Sequence, residues 1–343
     1  MKNIKRALIT GVTGQDGAYL SKHLLKMGYQ VFGTARRGAS EKFTRLEYLG
    51  VRDKITIVDF DLLEISNIHK LIKDIDPSEV YNLAAQSFVP TSFNLPILTT
   101  DINALGTLRI LDAILAKNIE IKFYQASTSE MFGKVTEIPQ NEETRFHPRS
   151  PYGVSKLFSH HITINYRESY DLFACSGILF NHESPLRGHE FVTKKITKGL
   201  ARIKNCKQEC LHLGNLEAKR DWGHASDYVR AMTAILNQEK PDDYVVSSGE
   251  AHSVREFIEI SASMLGINYE WSGEGKNLTL IDKDNNKEIV KIDEKLYRPA
   301  EVDVLIGDST KLRANINWKP KYNFEDLVLE MVKFETENES INF

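Results

Sequence analysis

Cysteine, long apolar runs and an excess of charge of either sign are all scarce in this sequence. Its three cysteines, Cys175, Cys206 and Cys210, are too few and odd in number for a disulfide framework, and they favour a reducing compartment. Cys206 and Cys210 have no second pair of soft ligands nearby, so we expect no metal site. No stretch approaches the roughly 18 apolar residues of a membrane span, and the first apolar run is too short for a signal segment. We therefore expect a cytoplasmic protein.

Charge and length narrow the class further. The 44 basic residues stand against 47 acidic ones, which gives a net charge of −3. Without a basic run there is no general surface for nucleic acid or a membrane, and only a local anion pocket stays open. A chain of 343 residues, 41% of them hydrophobic, can form two domains or one large α/β domain with a smaller appendage.

The first half of the chain alternates short β-branched or apolar runs with segments of helical periodicity. The candidate strands are residues 6–10, 30–34, 55–59, 79–83, 121–127 and 172–180. Strands that alternate with helices require a parallel sheet covered on both faces, so the predicted class is α/β with a Rossmann-type doubly wound parallel sheet. We predict a cofactor-binding domain over residues 1–180, to which later strands return, and a smaller interleaved substrate-binding lobe over residues 181–343.

The second half is less regular. It predicts a loop at residues 214–220 and an exposed hairpin or loop at 277–291. Apolar spacing indicates helices there, at residues 227–236, 253–265, 310–314 and 324–334.

A glycine-rich turn, TGVTGQDG at residues 10–17, closes the first predicted strand and opens the first helix. Gly11, Gly14 and Gly17 let the backbone turn tightly and approach a pyrophosphate, while the helix N-terminus supplies N–H groups and a positive dipole end. Many turns need glycine for backbone reasons alone. Here the position between a strand and a helix predicts nucleotide binding.

The end of the second predicted strand indicates which dinucleotide binds. An acidic residue there would hold a free ribose 2′-hydroxyl, but the chain carries Arg36 and Arg37. Two guanidinium groups suit a 2′-phosphate, which favours NADP over the alternative of two solvated arginines. Asp61 and Leu62, after the third strand, are candidates to face the adenine, although an exposed loop aspartate is an equally ordinary interpretation.

The segment SPYGVSK, residues 150–156, carries the most informative pair of side chains. Ser150 is a good N-cap and Pro151 suits the first helical position, so Tyr152 and Lys156 lie four apart on one helix face. A cation beside a phenol lowers the phenol pKa and makes a base usable near neutrality. The alternative is a chance surface pair.

Another polar cluster, residues 127–130, ends the fifth predicted strand. Hydroxyls and a carboxylate at this end of a strand lie where open α/β sheets bind ligands. Thr128 is a candidate to bond a substrate hydroxyl, and Glu130 is a candidate to move a proton. The alternative is helix capping by Thr128 or Ser129.

With these motifs in place, the sequence resembles an extended short-chain dehydrogenase/reductase, and more narrowly the GDP-mannose 4,6-dehydratase family, over nearly its whole length. The tyrosine–lysine pair is shared across the superfamily, whereas the STSE, NHESP, KRDWGHA and YRPAEVD blocks are much more specific. The resemblance rests on TGVTGQDG (10–17), YNLAAQS (81–87), FYQASTSEMFG (123–133), RSPYGVSK (149–156), GILFNHESPLRG (177–188), KRDWGHA (219–225), GEAHSVREF (249–257) and YRPAEVD (297–303).

The resemblance implies a hydro-lyase reaction with internal hydride transfer through tightly held NADP. Tyr152 would deprotonate the sugar 4-hydroxyl, Lys156 would lower the tyrosine pKa and hold the cofactor ribose, and Thr128 would bond the reacting oxygen. Glu130 would then remove the C5 proton and, with Ser129 nearby, assist loss of the 6-hydroxyl as water. Hydride return to C6 would leave a 4-keto-6-deoxy sugar.

The resemblance also implies binding residues and a homo-oligomer, either a dimer or a tetramer. The implied cofactor residues are Gly11, Thr13, Gly14, Gln15, Asp16, Gly17, Arg36, Arg37, Asp61, Leu62, Leu83, Ala84, Ala85, Gln86, Ser87, Tyr152, Lys156, His182 and Arg187. The implied residues for the GDP-sugar are Ser87, Thr128, Glu130, Asn181, Lys194, Arg220, Arg298 and Glu301.

Some positions depart from the family pattern and leave the substrate open. Residues 38–40 replace a serine run that takes part in subunit contacts, which bears on the tetramer. Phe88 and Leu98 replace a histidine and a tyrosine, and Pro90 and Leu186 are also unusual. These side chains lie near the expected sugar pocket, so GDP-mannose and GDP-D-glycero-D-manno-heptose both remain candidate substrates.

Two other functions are compatible with the same motifs: a nucleotide-sugar 4-epimerase or reductase, and a catalytically silent NADP-binding protein. An epimerase only rotates the ketone and returns hydride to C4, so it needs no second acid/base. Glu130 beside Tyr152 therefore favours the dehydratase, and the full set of catalytic side chains argues against a silent protein.

Overall fold

The computed structural model describes residues 4–36, 43–297, 304–338, 341 and 343, and within them the strands form a seven-stranded sheet and two smaller ones. In chain order the strands are β1 (Arg6–Thr10), β2 (Gln30–Ala35), β3 (Thr56–Asp59), β4 (Glu79–Asn82), β5 (Lys122–Thr128), β6 (Ala174–Leu179), β7 (Asn181–Glu183), β8 (Leu211–Leu213), β9 (Lys219–His224), β10 (Asp243–Val246), β11 (Ala251–Ser253), β12 (Tyr269–Ser272), β13 (Thr279–Asp282), β14 (Lys287–Ile292) and β15 (Val304–Leu305). The α-helices are α1 (Gln15–Lys26), α2 (Thr44–Tyr48), α3 (Ile65–Ile75), α4 (Val89–Asn94), α5 (Pro96–Thr100), α6 (Gly106–Lys117), α7 (Pro151–Tyr170), α8 (Val192–Lys204), α9 (Ala225–Leu236), α10 (Val254–Met264), α11 (Thr310–Ile316) and α12 (Phe324–Glu337).

The large sheet has the order β10-β6-β5-β4-β1-β2-β3, and all its neighbours pair in parallel. From β1 the chain first adds β2 and β3 on one side and then β4, β5 and β6 on the other. The strand order therefore reverses between β1 and β4. In open α/β sheets, ligands bind at the carboxyl ends of the strands beside such a reversal.

Helices cover both faces of this sheet. Side chains along β1 point alternately to the two faces, and apolar side chains on both faces require cover on both. Ala7 and Ile9 point into a core shared with α1 and α9, whereas Leu8 points into a core shared with α3 and α6. All three side chains are buried, so β1 reads as a continuous apolar run.

The second half of the chain forms a smaller lobe with its own core. Helices α8, α10 and α12 pack together, and their apolar faces enclose the core with the sheet β12-β13-β14-β8. A third small sheet, β11-β9-β15 with β7 beside β9, connects this lobe to the end of β6. Strand β10 returns to the large sheet, where it pairs with β6.

The sequence-based prediction of an α/β doubly wound parallel sheet is confirmed, and each of the six strands predicted in the first half is present within one or two residues. The segment at 277–291 is a hairpin of β13 and β14 rather than a loop. The predicted loop at 214–220 is wrong at its end, because Lys219 and Arg220 pair with β11 as the start of β9. No helix in the described part of the chain has the length and apolarity needed to cross a bilayer.

Candidate active site

The glycine turn lies at the strand reversal, and two of its glycines are packed too tightly to carry a Cβ. Gly11 has a φ of +69°, and a Cβ there would lie 2.9 Å from the Cα of Ala84 on the loop after β4. A Cβ on Gly17 would lie 2.5 Å from the carbonyl oxygen of Gly11. The turn therefore keeps its backbone exposed beside the first turn of α1, where N–H groups lack intrahelical acceptors. This cradle fits a dinucleotide pyrophosphate.

Helix α7 brings the tyrosine and the lysine to the end of β5. Ser150 caps the helix by accepting a hydrogen bond from the Gly153 N–H at 3.0 Å, and Pro151 occupies the first turn. A Cβ on Gly153 would lie 2.8 Å from the carbonyl oxygen of Glu130. Glycine at this position thus allows the helix to approach the STSE segment closely, and it places Tyr152 beside Thr128.

One cavity of about 890 Å³ runs from the glycine turn to the smaller lobe. Most of the residues predicted from the sequence line it together. They are Gly11, Gly14, Gln15, Asp16, Gly17, Leu83, Ala85, Ser87, Thr128, Ser129, Glu130, Tyr152, Lys156, Asn181, His182, Arg187 and Arg220. The cavity therefore joins the phosphate turn, the tyrosine–lysine helix and the end of β5.

Tyr152 is buried and hydrogen-bonded to Thr128, and its environment disfavours the phenolate. Burial raises the pKa of Tyr152 to about 12; the bond to Thr128 opposes this rise, the charge of Glu130 adds to it and Arg187 again opposes it. In the protein alone, desolvation of the phenolate keeps the pKa of Tyr152 far from neutrality, and the expected effect of Lys156 stays a prediction. The influence of Glu130 on Tyr152 also indicates that the carboxylate and the phenol lie close enough to interact.

The backbone of β5 fixes the side chain of Lys156, which lies one helical turn after Tyr152. Its Nζ donates a hydrogen bond to the carbonyl oxygen of Ala126 at 2.8 Å. Burial lowers the pKa of Lys156 to about 8, against an opposing effect of Asp16. The ammonium is therefore held in place by a neutral acceptor and titrates close to physiological pH.

Asp16 and His182 form an ion pair beside the phosphate turn. The His182 Nε2 lies 2.7 Å from Asp16 Oδ2, and Nδ1 lies 2.8 Å from the carbonyl oxygen of Phe180. Both partners can only accept, so both ring nitrogens carry hydrogen and the ring is an imidazolium. Burial works against this charge, but Asp16 outweighs it and raises the pKa of His182; the same pairing lowers the pKa of Asp16 despite its burial.

Arg187 is held from two sides at the same wall of the cavity. Its Nε lies 2.9 Å from Glu183 Oε2, and its guanidinium lies 3.5 Å from the ring centroid of Phe191. Glu183 in turn accepts a hydrogen bond from the Thr193 hydroxyl at 2.6 Å. The arginine is thereby a fixed cation that favours an anion in the cavity.

Several predicted residues lie outside the cavity lining. Those at the same edge of the sheet are Thr13, Arg36, Asp61, Leu62, Ala84 and Gln86. Arg36 directly follows β2 and is exposed, and Asp61 follows β3, where it accepts a hydrogen bond from the Leu63 N–H. Both therefore lie on the side of β1 where an adenosine would extend from the turn. Arg37, Arg298 and Glu301 lie outside the described residues.

The structure puts Lys194 away from the cavity. Its buried ammonium forms an ion pair with Glu335 and donates a hydrogen bond to the carbonyl oxygen of Pro185 at 2.8 Å. Its neighbour Lys195 is exposed at the cavity wall instead. The structure thus places Lys195 rather than the predicted Lys194 at the cavity, because one residue turns the side chain by about 100° around helix α8.

Sequence reasoning also missed Arg45, Lys295 and Tyr297, which line the cavity from three separate segments. No motif marks Arg45 or Lys295 in the sequence, whereas Tyr297 is the first residue of the YRPAEVD block. The spacing of buried residues along α8 could have identified Lys195, since Lys194 shares a face with Thr197 and Ala201. Several cations therefore line the cavity and suit it to a diphosphate: Arg45, Arg187, Lys195, Arg220 and Lys295.

A parallel sheet with a glycine turn at its strand reversal, and a Tyr-x-x-x-Lys helix beside it, defines an extended short-chain dehydrogenase/reductase. The sequence profile of the family described as GDP-mannose 4,6 dehydratase matches residues 8–331. The chain belongs to this family, and the resemblance seen in the sequence is confirmed.

Relatives and solved structures agree with this assignment. The chain is 49% identical to the GDP-mannose 4,6 dehydratase of Homo sapiens over 339 residues, which cover 96% of this chain and 91% of the human protein. The fold is similar to that of dTDP-glucose 4,6-dehydratase from Bacillus anthracis, solved with NAD, at a TM-score of 0.81, 21% identity and 98% coverage of both chains. It is also similar to RMD from Pseudomonas aeruginosa, solved with NADPH, at a TM-score of 0.77, 24% identity and coverage of 97% and 100%.

Proposed function

We propose that this chain is a GDP-sugar 4,6-dehydratase that converts GDP-mannose to its 4-keto-6-deoxy product. The observation that carries the proposal is the presence of two proton-transfer groups, Tyr152 and Glu130, on one cavity beside a dinucleotide turn. Oxidation of a hydroxyl needs one such group, and elimination of water from the resulting ketone needs a second. Family membership supports the same reaction.

We further propose that the dinucleotide is NADP. The glycine cradle and the cations around it suit a nicotinamide dinucleotide, and the arginine after β2 suits the 2′-phosphate. When bound, the dinucleotide supplies an acceptor for hydride from C4 and later a donor of hydride to C6. The protein binds its pyrophosphate at Gly11, Gly14 and the first turn of α1, and His182 and Arg187 balance the negative charge.

In the first step the protein removes the proton of the sugar 4-hydroxyl. Tyr152 takes this proton, and Thr128, already bonded to the phenol, holds the reacting oxygen. The upward pull of burial on the Tyr152 pKa is opposed by the hydrogen bond to Thr128 and by the charge of Arg187, while Lys156 is held by the carbonyl oxygen of Ala126. Tyr152 can therefore take this proton only as the phenolate, which we expect to form in the site loaded with the dinucleotide and the substrate.

In the second step the 4-ketone makes the C5 proton acidic, and Glu130 removes it. The same carboxyl then donates its proton to the departing 6-hydroxyl, with the Ser129 hydroxyl nearby. Glu130 follows directly after the residue that binds the 4-oxygen, and its N–H donates to the Thr128 hydroxyl at 3.3 Å. This short link keeps the acid/base within reach of the carbons next to C4.

The nucleotide end of the substrate is assigned to the smaller lobe. We propose that Asn181, Lys195 and Arg220 contact the GDP-sugar, together with Ser87 on the opposite wall. Arg298 and Glu301, in the YRPAEVD block, stay candidates for the same end. On this division, residues 1–180 hold mainly the cofactor and residues 181–343 mainly the nucleotide-sugar.

We also propose that the chain forms a homo-oligomer, a dimer or a tetramer, through helices α5 and α7. These helices pack against each other and leave apolar side chains exposed: Ile97 is 84% exposed, and Leu98, Val154 and Phe158 are also in contact with solvent. Large apolar side chains exposed on two helices that pack together mark a candidate interface. A second copy of the same face is its simplest cover, since isologous contacts close after two subunits.

Product analysis in heavy water tests the reaction and the choice of sugar together. Purified protein is given GDP-mannose and GDP-D-glycero-D-manno-heptose separately, with NADP present, and products are examined by mass spectrometry and NMR. We expect GDP-mannose to lose one water and to gain deuterium at C5, with no net reduction of NADP. A product that is the C4 epimer and keeps all its oxygens would refute the dehydratase activity. If the heptose is dehydrated faster, GDP-D-glycero-D-manno-heptose rather than GDP-mannose is the substrate.

A further inference from the structure

Three hydrogen bonds fasten the phosphate turn to the 181–188 segment, which lines the same cavity. The His182 ring bonds Asp16, the Gln15 Nε2 donates to the carbonyl oxygen of His182 at 3.0 Å, and the Ser184 hydroxyl donates to Gln15 Oε1 at 2.7 Å. The first turn of α1 is thus tied to a segment that is more than 160 residues away in the chain. A dinucleotide held by the turn would therefore lie beside this segment as well.

Arg45, at the start of α2, belongs to neither of these two segments but forms hydrogen bonds with both. Its Nε donates to the carbonyl oxygen of Leu186 at 2.7 Å, and its Nη1 donates to the carbonyl oxygen of Thr13 at 3.3 Å. The guanidinium also lines the cavity. A planar fork of donors can serve two carbonyls in different directions at once, which an ammonium at one point cannot do.

The surroundings of Arg45 make these bonds stronger than surface contacts. The guanidinium lies 5.5 Å from the ring centroid of Phe343, and Glu190 and Arg187 are close enough to influence it. Burial lowers the pKa of Arg45, Glu190 opposes this effect and Arg187 adds to it. Arginine nevertheless stays charged throughout the physiological range, so the two bonds persist at every working pH.

A 4,6-dehydratase needs such a fastening more than an ordinary dehydrogenase does. The hydride taken from C4 must return to C6 of the same sugar, so release of the reduced dinucleotide between the two steps would end the reaction with a stranded intermediate. We propose that Arg45 is a positioning residue that locks the 181–188 segment over the phosphate turn and thereby retains the dinucleotide through the whole cycle. The proposal that the dinucleotide is retained is argued from these contacts. The need to retain it between the two hydride transfers rests on the proposed function.

Dissociation of the dinucleotide tests the proposal without any sugar. Wild-type protein and the variants Arg45→Gln and Arg45→Lys are loaded with NADPH, excess NADP is added, and the loss of bound NADPH fluorescence is followed. We expect Arg45→Gln to raise the dissociation rate by roughly 10- to 100-fold, as loss of one or two charged hydrogen bonds implies. Arg45→Lys should also raise it, because the charge remains but the two-carbonyl fork is lost. Arg52→Gln, an arginine stacked on Phe43 and outside the cavity lining, is the matched control and should leave the rate unchanged.

A second arm distinguishes fastening from direct contact with the 2′-phosphate. Locking the segment acts on any dinucleotide, so Arg45→Gln should raise the dissociation rates of NADH and NADPH by the same factor. An increase for NADPH alone, or unchanged rates in both Arg45 variants, would overturn the proposal. If Arg45→Gln fails to fold, Arg45→Lys decides alone.

Turnover gives a readout that a merely structural role would not produce. With GDP-mannose, the Arg45 variants should release NADPH into solution, whereas the wild type releases none. Absence of dehydration by the wild type would count against the proposed function, while the sugar-free dissociation rates would still decide the role of Arg45.

Discussion

Replacing Glu130 by glutamine is expected to leave oxidation of the sugar intact and to stop the loss of water. Glutamine keeps the size and the hydrogen-bonding oxygen but cannot accept the C5 proton. Positioned acid/base groups contribute about 10²- to 10⁴-fold, so the yield of dehydrated product should fall by that order. The reduced dinucleotide should therefore accumulate on the protein when GDP-mannose is added, visible as its near-ultraviolet absorbance.

The exposed Glu143 provides the matched control for this variant, because Glu143→Gln makes the same chemical change outside the cavity lining. Its turnover should equal that of the wild type. Normal dehydration by Glu130→Gln would exclude Glu130 as the base. Loss of dehydration without any reduced dinucleotide would place Glu130 in the first step instead.

Tyr152→Phe should have an effect of similar size but at the earlier step. The ring stays buried and the hydrogen bond to Thr128 is lost, so no group remains to take the proton of the 4-hydroxyl. We expect turnover to fall by about 10²- to 10⁴-fold with no reduced dinucleotide formed. The two variants thus differ in whether hydride leaves the sugar.

Tyr170, in the last turn of the same helix, is exposed and serves as the control through Tyr170→Phe. That variant should keep wild-type turnover. A near-normal rate in Tyr152→Phe would remove Tyr152 from the mechanism, and accumulation of reduced dinucleotide in it would assign the first proton transfer to another residue.

The fold was predictable because its signals are local. Each strand of the first half is a short buried run bounded by a turn, and a parallel sheet follows once such runs alternate with helices. The STSE and SPYGVSK segments were predictable for the same reason, since a strand end and a helix start fix their positions. The second lobe was less clear, and Lys219 and Arg220 carry no sign in the sequence that they pair with β11.

Contacts between distant segments explain what the sequence left out. Arg45 lies near the turn only because α2 folds back against the 181–188 segment, and its partners are backbone carbonyls that no motif records. The resemblance implied Lys194 as a residue for the GDP-sugar, yet its partner Glu335 lies on α12 and Lys195 lines the cavity instead. The orientation of a side chain around a helix depends on packing that a motif does not record.

The Tyr152 pKa shows a second kind of limit. The spacing of Tyr152 and Lys156 places both on one helix face, but the pKa of Tyr152 depends on how far the phenol is removed from water, and burial raises it to about 12. Only the three-dimensional structure shows that the Lys156 ammonium bonds the carbonyl oxygen of Ala126. Desolvation and competing acceptors are properties of the packed site rather than of residue spacing.

The fate of the hydrogen on C4 of the sugar tests the proposed internal hydride transfer most directly. GDP-mannose carrying deuterium at C4 is converted by the purified protein in ordinary water, and the product is examined by NMR. If Tyr152 and Glu130 serve one sugar in a single closed site, the deuterium will be found at C6 of the 4-keto-6-deoxy product. Deuterium lost to solvent, or recovered in free dinucleotide, would contradict the account.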